Sequence, residues 1–169
     1  TPGQIAAVYE NHTKKRFTLG TTDDVTHLSL DVPSLPSTSP RDTISCKFWG
    51  LGGDGTVSAT KNIVKIVGDH TPLKVQGYFE YDSKKSRGLT ISHLRFGKSP
   101  IRSAYLVHQS DFTACCNPVY LHKYDMTSEI KEGGAFLINC PYKENELEQF
   151  LPDSVKGQLA AKHIRLFLI

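Results

Sequence analysis

Apolar residues along this chain come in short runs broken by glycine, proline and charge, and the runs differ in period. Ile44-Ser45-Cys46-Lys47-Phe48-Trp49-Gly50-Leu51 is an apolar stretch closed by glycines, the pattern of a buried strand. Over residues 56–67 the apolar positions Val57, Ala59, Ile63, Val64, Ile66 and Val67 fall mostly on one side of a helix, with Gly68 placed to end it as a C-cap. Residues 75–81 read as a second strand, 89–96 alternate apolar and polar side chains as a third, and 103–108 suggest a fourth. A short buried strand is expected at 112–116. A short helix fits 118–126, because proline is tolerated in a first helical turn, and Gly133-Gly134 is expected to turn the chain into a strand at 135–140. Residues 144–150 and 152–161 carry helix formers, and 164–169 are apolar enough for a closing strand.

Strands alternating with helices predict an α/β domain over residues 44–169: a single doubly wound, mostly parallel sheet with flanking helices, Rossmann-like in layout. Residues 1–43 read as an extended leader with two strand-like fragments, 17–20 and 25–30, and a Pro/Ser-rich linker. Pro33, Pro36 and Pro40 break helix and sheet there. Leu28, Leu30 and Leu35 need burial, so the leader is expected to lie along a neighbouring surface. A chain of 169 residues has room for one ordinary domain and such an appendage.

Composition narrows the function classes by exclusion. The 38% hydrophobic and 22% charged content belongs to a soluble globular protein. The net charge of +3 is mild, and lysine and arginine are scattered among acidic residues, so nucleic-acid binding is not expected. No apolar run approaches the roughly 18 residues of a membrane span, so no membrane partner is expected either. The start, Thr1-Pro2-Gly3-Gln4, suggests a piece of something longer. Cys46, Cys115, Cys116 and Cys140 lie in or beside apolar runs, as free core thiols do, which points to a reducing compartment: the cytoplasm, or an organelle in a eukaryote. The only closely spaced pair is Cys115-Cys116, whose side chains point apart on a strand, so neither zinc nor an iron–sulfur cluster is expected here.

The sharpest local motif is Gly50-Leu51-Gly52-Gly53-Asp54-Gly55-Thr56, between a strand and a helix. There the glycines admit a ligand close to the backbone, and the helix start offers unpaired N–H groups and partial positive charge. The structural alternative is a tight turn with Asp54 or Thr56 as helix N-cap. The third glycine comes one residue too early for the dinucleotide fingerprint, and the acidic candidates Glu80 and Asp82 stand too far on, which disfavours a dinucleotide. After the second strand comes Asp82-Ser83-Lys84-Lys85-Ser86-Arg87-Gly88, a basic loop. Carboxyl ends of strands gather on one edge of an open α/β sheet, so turn and loop are expected to share that edge as an anion cradle. Lys84, Lys85 and Arg87 would neutralise phosphates, Ser83 and Ser86 would donate hydrogen bonds, and Lys61 would project from the helix. His93 sits among alternating apolar neighbours and reads as a hydrogen-bonded strand residue rather than a general base.

Several longer stretches carry a family resemblance. Lys47-Phe48-Trp49-Gly50-Leu51-Gly52-Gly53-Asp54-Gly55-Thr56, Lys61-Asn62, Gly77-Tyr78-Phe79, Tyr81-Asp82-Ser83-Lys84-Lys85-Ser86, Ser92-His93-Leu94-Arg95-Phe96-Gly97, Pro100-Ile101-Arg102-Ser103 and Lys131-Glu132-Gly133-Gly134 follow in one order. Together they resemble the third domain of pyruvate:ferredoxin (flavodoxin) oxidoreductases, the gamma-type domain of 2-oxoacid oxidoreductases. The resemblance implies a parent enzyme, expected to be a homodimer, that decarboxylates pyruvate on thiamine diphosphate with magnesium. It passes electrons through iron–sulfur clusters to ferredoxin or flavodoxin and hands the acetyl group to coenzyme A. It places thiamine diphosphate and clusters in other domains, and gives this one no catalytic residue but part of the coenzyme A docking surface and interdomain contacts. The docking residues expected are Asp54, Gly55, Thr56, Lys61, Asn62, Ser83, Lys84, Lys85 and Arg87. A structural scaffold without ligand, or the same domain in a pyruvate:NADP+ oxidoreductase or sulfite reductase relative, are the other readings. Three positions depart from the family pattern: Arg87 where glycine is frequent, Cys116 where histidine is common, and Tyr142 where tryptophan commonly follows Cys-Pro.

Overall fold

A computed structural model of the chain describes residues 16–18, 21, 24–29, 40–81, 88–102 and 106–169, with Glu144 described by its backbone alone. They divide into two compact units, Thr1–Ser39 and Pro40–Ile169.

In the first unit the described part of 25–30 is a turn and one bridge instead of a strand. Thr18 and Ser29 form an isolated parallel bridge, with the Thr18 N–H on Leu28 O at 3.1 Å. The Asp24 carboxylate accepts from the Thr26 hydroxyl, from the Thr26 N–H at 3.0 Å and from the Ser29 N–H. An aspartate that satisfies nearby backbone donors gives the chain an alternative to a ladder, which is why the strand is not made. Residues 30–39, with most of the expected linker, lie outside the described residues, as do residues 19 and 20.

The second unit holds six strands: β1 Ile44–Leu51, β2 Lys74–Tyr81, β3 Leu89–Gly97, β4 Ser110–Cys115, β5 Ile130–Ile138 and β6 Arg165–Leu168. Its helices are α1 Thr56–His70, α2 Glu144–Phe150 and α3 Asp153–Ala161, with a 3-10 helix at Pro118–His122. The strands lie side by side in the order β2-β3-β1-β4-β5-β6. β1 pairs parallel with β4, β4 with β5 and β5 with β6, while β3 pairs antiparallel with both β1 and β2. Five strands therefore run one way, and β3 alone runs back. The connection from β2 to β3 is too short to house a crossover helix, so those two must be antiparallel neighbours. As a result β3 is inserted between the two strands of the β1–α1–β2 unit.

Helices cover both faces. On one, α1 lays Ile63, Val64 and Val67 against Cys46, Leu94 and Phe96. On the other, Trp49, Cys115, Phe136 and Ile138 meet Leu147 from α2, Val155 from α3 and Leu151 between the two helices. Gly68 does not end α1. The helix runs on to His70, and the N–H and hydroxyl of Thr71 close it on Val67 O at 3.1 and 2.6 Å. A Cβ on Gly68 would stand 3.2 Å from a Val75 methyl, so its smallness serves the helix–strand contact.

Two other expectations are corrected. Leu106 and Val107 are not in a strand; Val107 is buried under the sheet and its N–H binds His93 Nδ1 at 3.1 Å, while residues 103–105 lie outside the described residues. Gly133 and Gly134 lie within β5, where the register shifts between the pairs Ser110↔Ile130 and Phe112↔Ala135. They make a bulge that lets β5 start at Ile130, five residues before the expected strand start at Ala135, and the Gly133 N–H is taken by Lys162 O at 2.8 Å.

Candidate functional site

The site grows from the way β1 hands the chain to α1. Gly50 is needed because a Cβ there would lie 2.5 Å from the Thr56 hydroxyl oxygen, so only glycine lets the first helical residue pack on the strand. Gly53 and Gly55 have φ of 91° and 89°, a left-handed backbone that favours glycine. Gly55, not Asp54 or Thr56, is the N-cap of α1. The Asp54 carboxylate instead spans the turn, accepting from the Leu51 N–H at 2.7 Å and the Thr56 N–H at 2.8 Å. It sets a negative charge on the partly positive helix start and uses one of the donors that a ligand anion would seek.

The turn is tied to the end of the basic loop. The Gly52 N–H binds Gly88 O at 2.8 Å, and the β2–β3 ladder brings Tyr81 opposite Thr90 at the same edge. Ser83, Lys84, Lys85 and Arg87 lie outside the described residues, between these two anchors. Lys61 is exposed on α1, its ammonium 5.4 Å from the centre of the Phe79 ring. Asn62 is also exposed; the next residue of a helix points about 100° further round, so it does not face β2 with Lys61.

A second strand end meets the turn from the other side. β4 lies parallel to β1, and the Cys116 N–H binds Trp49 O at 2.8 Å. The chain leaves β1 for α1 on one face, and leaves β4 for the 3-10 helix, whose Tyr120 and Leu121 join the core on the other. Between the carboxyl ends of β1 and β4 is therefore a topological switch point, the crevice where open α/β sheets place ligands. Asp54, Thr56, Cys116 and Tyr120 border it. Burial pushes the Cys116 thiol up, and the charge of Asp54 adds to this while a hydrogen bond with Thr56 opposes it. Burial also raises the Tyr120 phenol, with Tyr124 and Asp54 contributing. Trp49 and Tyr120 both pack on Tyr124, ring centres 5.8 and 5.6 Å apart. The sequence marks Cys116 as a free thiol beside an apolar run and as a departure from the family pattern, not as a neighbour of the turn; the signal that finds it there is the parallel pairing of β1 with β4, which no local motif encodes.

Polar groups also lie beneath the sheet. Lys47, His93 and Arg95 are 5%, 2% and 1% exposed on the face opposite α1. Lys47 pairs with Glu129, His93 Nε2 meets Glu80 at 2.7 Å, and Arg95 donates to Gln76 at 2.8 Å. His93 is thus a hydrogen-bonded strand residue.

The family model for pyruvate ferredoxin/flavodoxin oxidoreductase matches residues 45–169. The chain belongs to this family. Along 99% of its length it is 51% identical to a pyruvate:ferredoxin oxidoreductase of Moorella thermoacetica and 49% identical to a pyruvate-flavodoxin oxidoreductase of Klebsiella pneumoniae, covering 15% of each. It is 48% identical to a pyruvate dehydrogenase [NADP(+)] of Cryptosporidium parvum, all of this chain matching 9% of that one. The chain thus spans a small part of the length of the curated relatives it matches. Among solved structures, a pyruvate oxidoreductase subunit from Thermotoga maritima shares the fold with a TM-score of 0.52 at 16% identity, over 66% of this chain and 57% of that one. A 2-oxoglutarate:ferredoxin oxidoreductase from Magnetococcus marinus, solved with 2-oxoglutarate, coenzyme A and succinyl-CoA bound, gives 0.52 at 17% identity, over 76% and 20%.

Oxidoreductases of this family raise the question of metal groups. Among the described residues no three His, Cys, Asp or Glu side chains gather as metal ligands. Burial pushes the thiols of Cys46 and Cys115 up to about 12, far from the thiolate a cluster needs. The described residues therefore do not fit an iron–sulfur site. No helix among them is long and apolar enough to cross a membrane.

Proposed function

We propose that this chain is the coenzyme A docking domain of a pyruvate:ferredoxin or flavodoxin oxidoreductase, and that it also contacts the other domains of that enzyme. The carrying observation is the bond between Gly52 and Gly88, which joins the glycine turn to the end of the segment holding Ser83, Lys84, Lys85 and Arg87. Coenzyme A carries a pyrophosphate and a 3′-phosphate, and the reading gives these to two neighbouring groups of donors: Gly55 and Thr56 at the start of α1, and the cations of the basic segment with Lys61. Asp54 keeps the turn in shape, and Asn62 serves the outer rim. In this reading thiamine diphosphate, magnesium and iron–sulfur clusters sit elsewhere in a homodimeric parent, in a reducing compartment. The coenzyme A held by the distant Magnetococcus relative supports the ligand.

Such a domain binds and orients the acyl acceptor and leaves bond-breaking to others. Cationic side chains and a helix start hold the nucleotide end, so the thiol arm reaches the reaction centre with part of its binding entropy already spent. Replacing Lys84 and Lys85 together by alanine in the parent enzyme should raise the KM for coenzyme A by about tenfold or more at low salt, by less at high salt where these charges are already screened, and leave the KM for pyruvate unchanged. An unchanged coenzyme A dependence would remove the reading.

A second reading, an interdomain scaffold without ligand, draws on one observation: the Asp54 carboxylate already occupies the Thr56 N–H. It predicts no coenzyme A protection of this domain from proteolysis in the parent enzyme. The likeness to the NADP(+)-dependent enzyme concerns the electron acceptor, which the parent's remaining sequence would decide.

A further inference from the structure

The crossover from β1 to β2 steps one way along the sheet, and those from β4 to β5 and from β5 to β6 step the other way. One right-handed sense of crossover therefore puts α1 on one face and the 3-10 helix, α2 and α3 on the other. α1 lies over β1, β2 and β3. Among the described residues of this unit, no helix covers β4, β5 and β6 on the α1 side, although parallel strands are normally buried on both faces.

The bare half is apolar. Phe112 packs with Cys46 and the inner residues of α1, so Phe112 and Ala114 of β4 point to the α1 side. The register carries Ala114 to Leu137 and Leu137 to Phe167 on that side, and Ile169 follows Phe167 by one alternation. Phe167 and Ile169 are 48% and 75% exposed. The flank of α1 nearest β4 is the one away from Lys61, which lies over Phe79 of β2. At about 100° per residue that flank carries Ala59 and Ile66, and Ile66 is 58% exposed. Ile66 and Phe167 thus wall a trough floored by Ala114 and Leu137. Neighbouring helices pack about 8–10 Å apart and strands lie about 4.8 Å apart, so a helix beside α1 would run two strands on, along β4, between these walls. At the amino end of the trough Arg165, exposed and opposite Ala135, makes no ion pair among the described residues.

We propose that this trough receives one amphipathic helix from another domain of the parent oxidoreductase, its apolar stripe on Leu137, Phe167 and Ile169 and a carboxylate at Arg165. This rests on the reading that the domain contacts the rest of its enzyme, and adds which face is covered and by what. The source of the helix follows from length: the chain spans 15% of each of two relatives, so most of such a polypeptide lies outside it. An apolar stripe at helical spacing fits a flat floor between two walls, and a carboxylate satisfies an arginine left without a partner. Two copies of this domain meeting face to face would set trough against trough and leave both unfilled. β4 leads to Cys116 at the switch-point crevice, so a helix seated along β4 fixes that crevice relative to the rest of the enzyme.

The test is photocrosslinking in the whole oxidoreductase that carries this domain. A benzoylphenylalanine replaces Phe167 in one form and Tyr78, on the opposite face of the sheet, in another, and joined peptides are mapped by mass spectrometry. The probe at position 167 should join a peptide outside these 169 residues, with apolar residues three and four apart and an aspartate or glutamate near one end. Arg165→Glu should lower that yield about fivefold, and exchanging the captured carboxylate for arginine should restore it. Joining to residues 1–39 of the same chain, to a second copy of this domain, or to nothing would overturn the proposal, as would a yield indifferent to Arg165→Glu. If position 167 fails while position 78 captures a peptide outside this chain, the interdomain reading stands and only the trough falls. Capture of no such peptide from either position removes both.

Discussion

His93 Nε2 and Glu80 Oε2 meet at 2.7 Å across the β2–β3 ladder, while the other ring nitrogen of His93 accepts the Val107 N–H at 3.1 Å. A nitrogen that accepts carries no proton, so the imidazole is neutral and donates to Glu80 from Nε2. Burial lowers its pKa from the ordinary 6.5, with Lys47 and Arg95 adding to this and Glu80 opposing it. The unfolded chain then binds more protons than the folded one, so stability is full above about 6.5 and is lost as pH falls toward the folded value. Thermal melts between pH 8 and pH 5 should show the midpoint falling below pH 6.5, and His93→Gln should flatten that slope. The carboxylates of Asp42 and Asp125, held below their ordinary 3.8 in the face of opposing desolvation by bonds that include those from Ser99 and Ser128, contribute only at lower pH, where their stabilising effect disappears. A slope that persists in the His93 variant would show another group to be responsible.

Gly50→Ala should destabilise the domain by about 1–3 kcal/mol, because the new methyl meets the Thr56 side chain at the turn where strand and helix touch. Urea unfolding monitored at Trp49 measures the shift. An unchanged midpoint would mean that α1 slides away without cost.

Removing the Asp54 carboxylate as Asp54→Ala strips acceptors from the Leu51 and Thr56 N–H groups. The loss expected is about 1 kcal/mol, in the range of helix-cap deletions. Hydrogen exchange at Leu51 and Thr56 should quicken while the β2–β3 ladder stays protected; uniform acceleration would point to global loosening instead.

Cys46 and Cys115 should resist alkylation at pH 8 in the folded protein and react once it is unfolded, since the thiolate is the nucleophile and burial pushes both thiols up to about 12. Mass-spectrometric mapping after a timed iodoacetamide pulse reads this directly. Early labelling of Cys115 would contradict its place in the core.

Local pattern carried much of this fold. Ile44–Leu51 declared itself by apolar run and bounding glycines, and α1 by one-sided periodicity, because both signals lie within a single element. The misreadings came where a partner elsewhere decides. Val107 looks like a strand residue, yet its N–H is satisfied by a histidine side chain fourteen positions back. Gly133-Gly134 looks like a turn, yet pairing with β4 before it at Ile130 and after it at Ala135 holds it in a bulged strand. The candidate site divides in the same way. Glycine turn and basic segment are local motifs, and the general rule for α/β sheets brings the ends of that segment, Tyr81 and Gly88, to the edge where the turn lies. Cys116 reaches the turn only through the register of β1 with β4, which is a long-range fact.

The inserted position of β3 also bears on how such a domain can change over generations. Eight consecutive residue pairs fix β2 on β3, and eight more fix β3 on β1, so the register of this half of the sheet is set well away from the connection between Tyr81 and Gly88. That connection can be lengthened, shortened or recharged without asking the strands to move. If that connection holds the ligand as proposed, ligand preference and foldability are under separate control, and selection can retune one while the other stays constant.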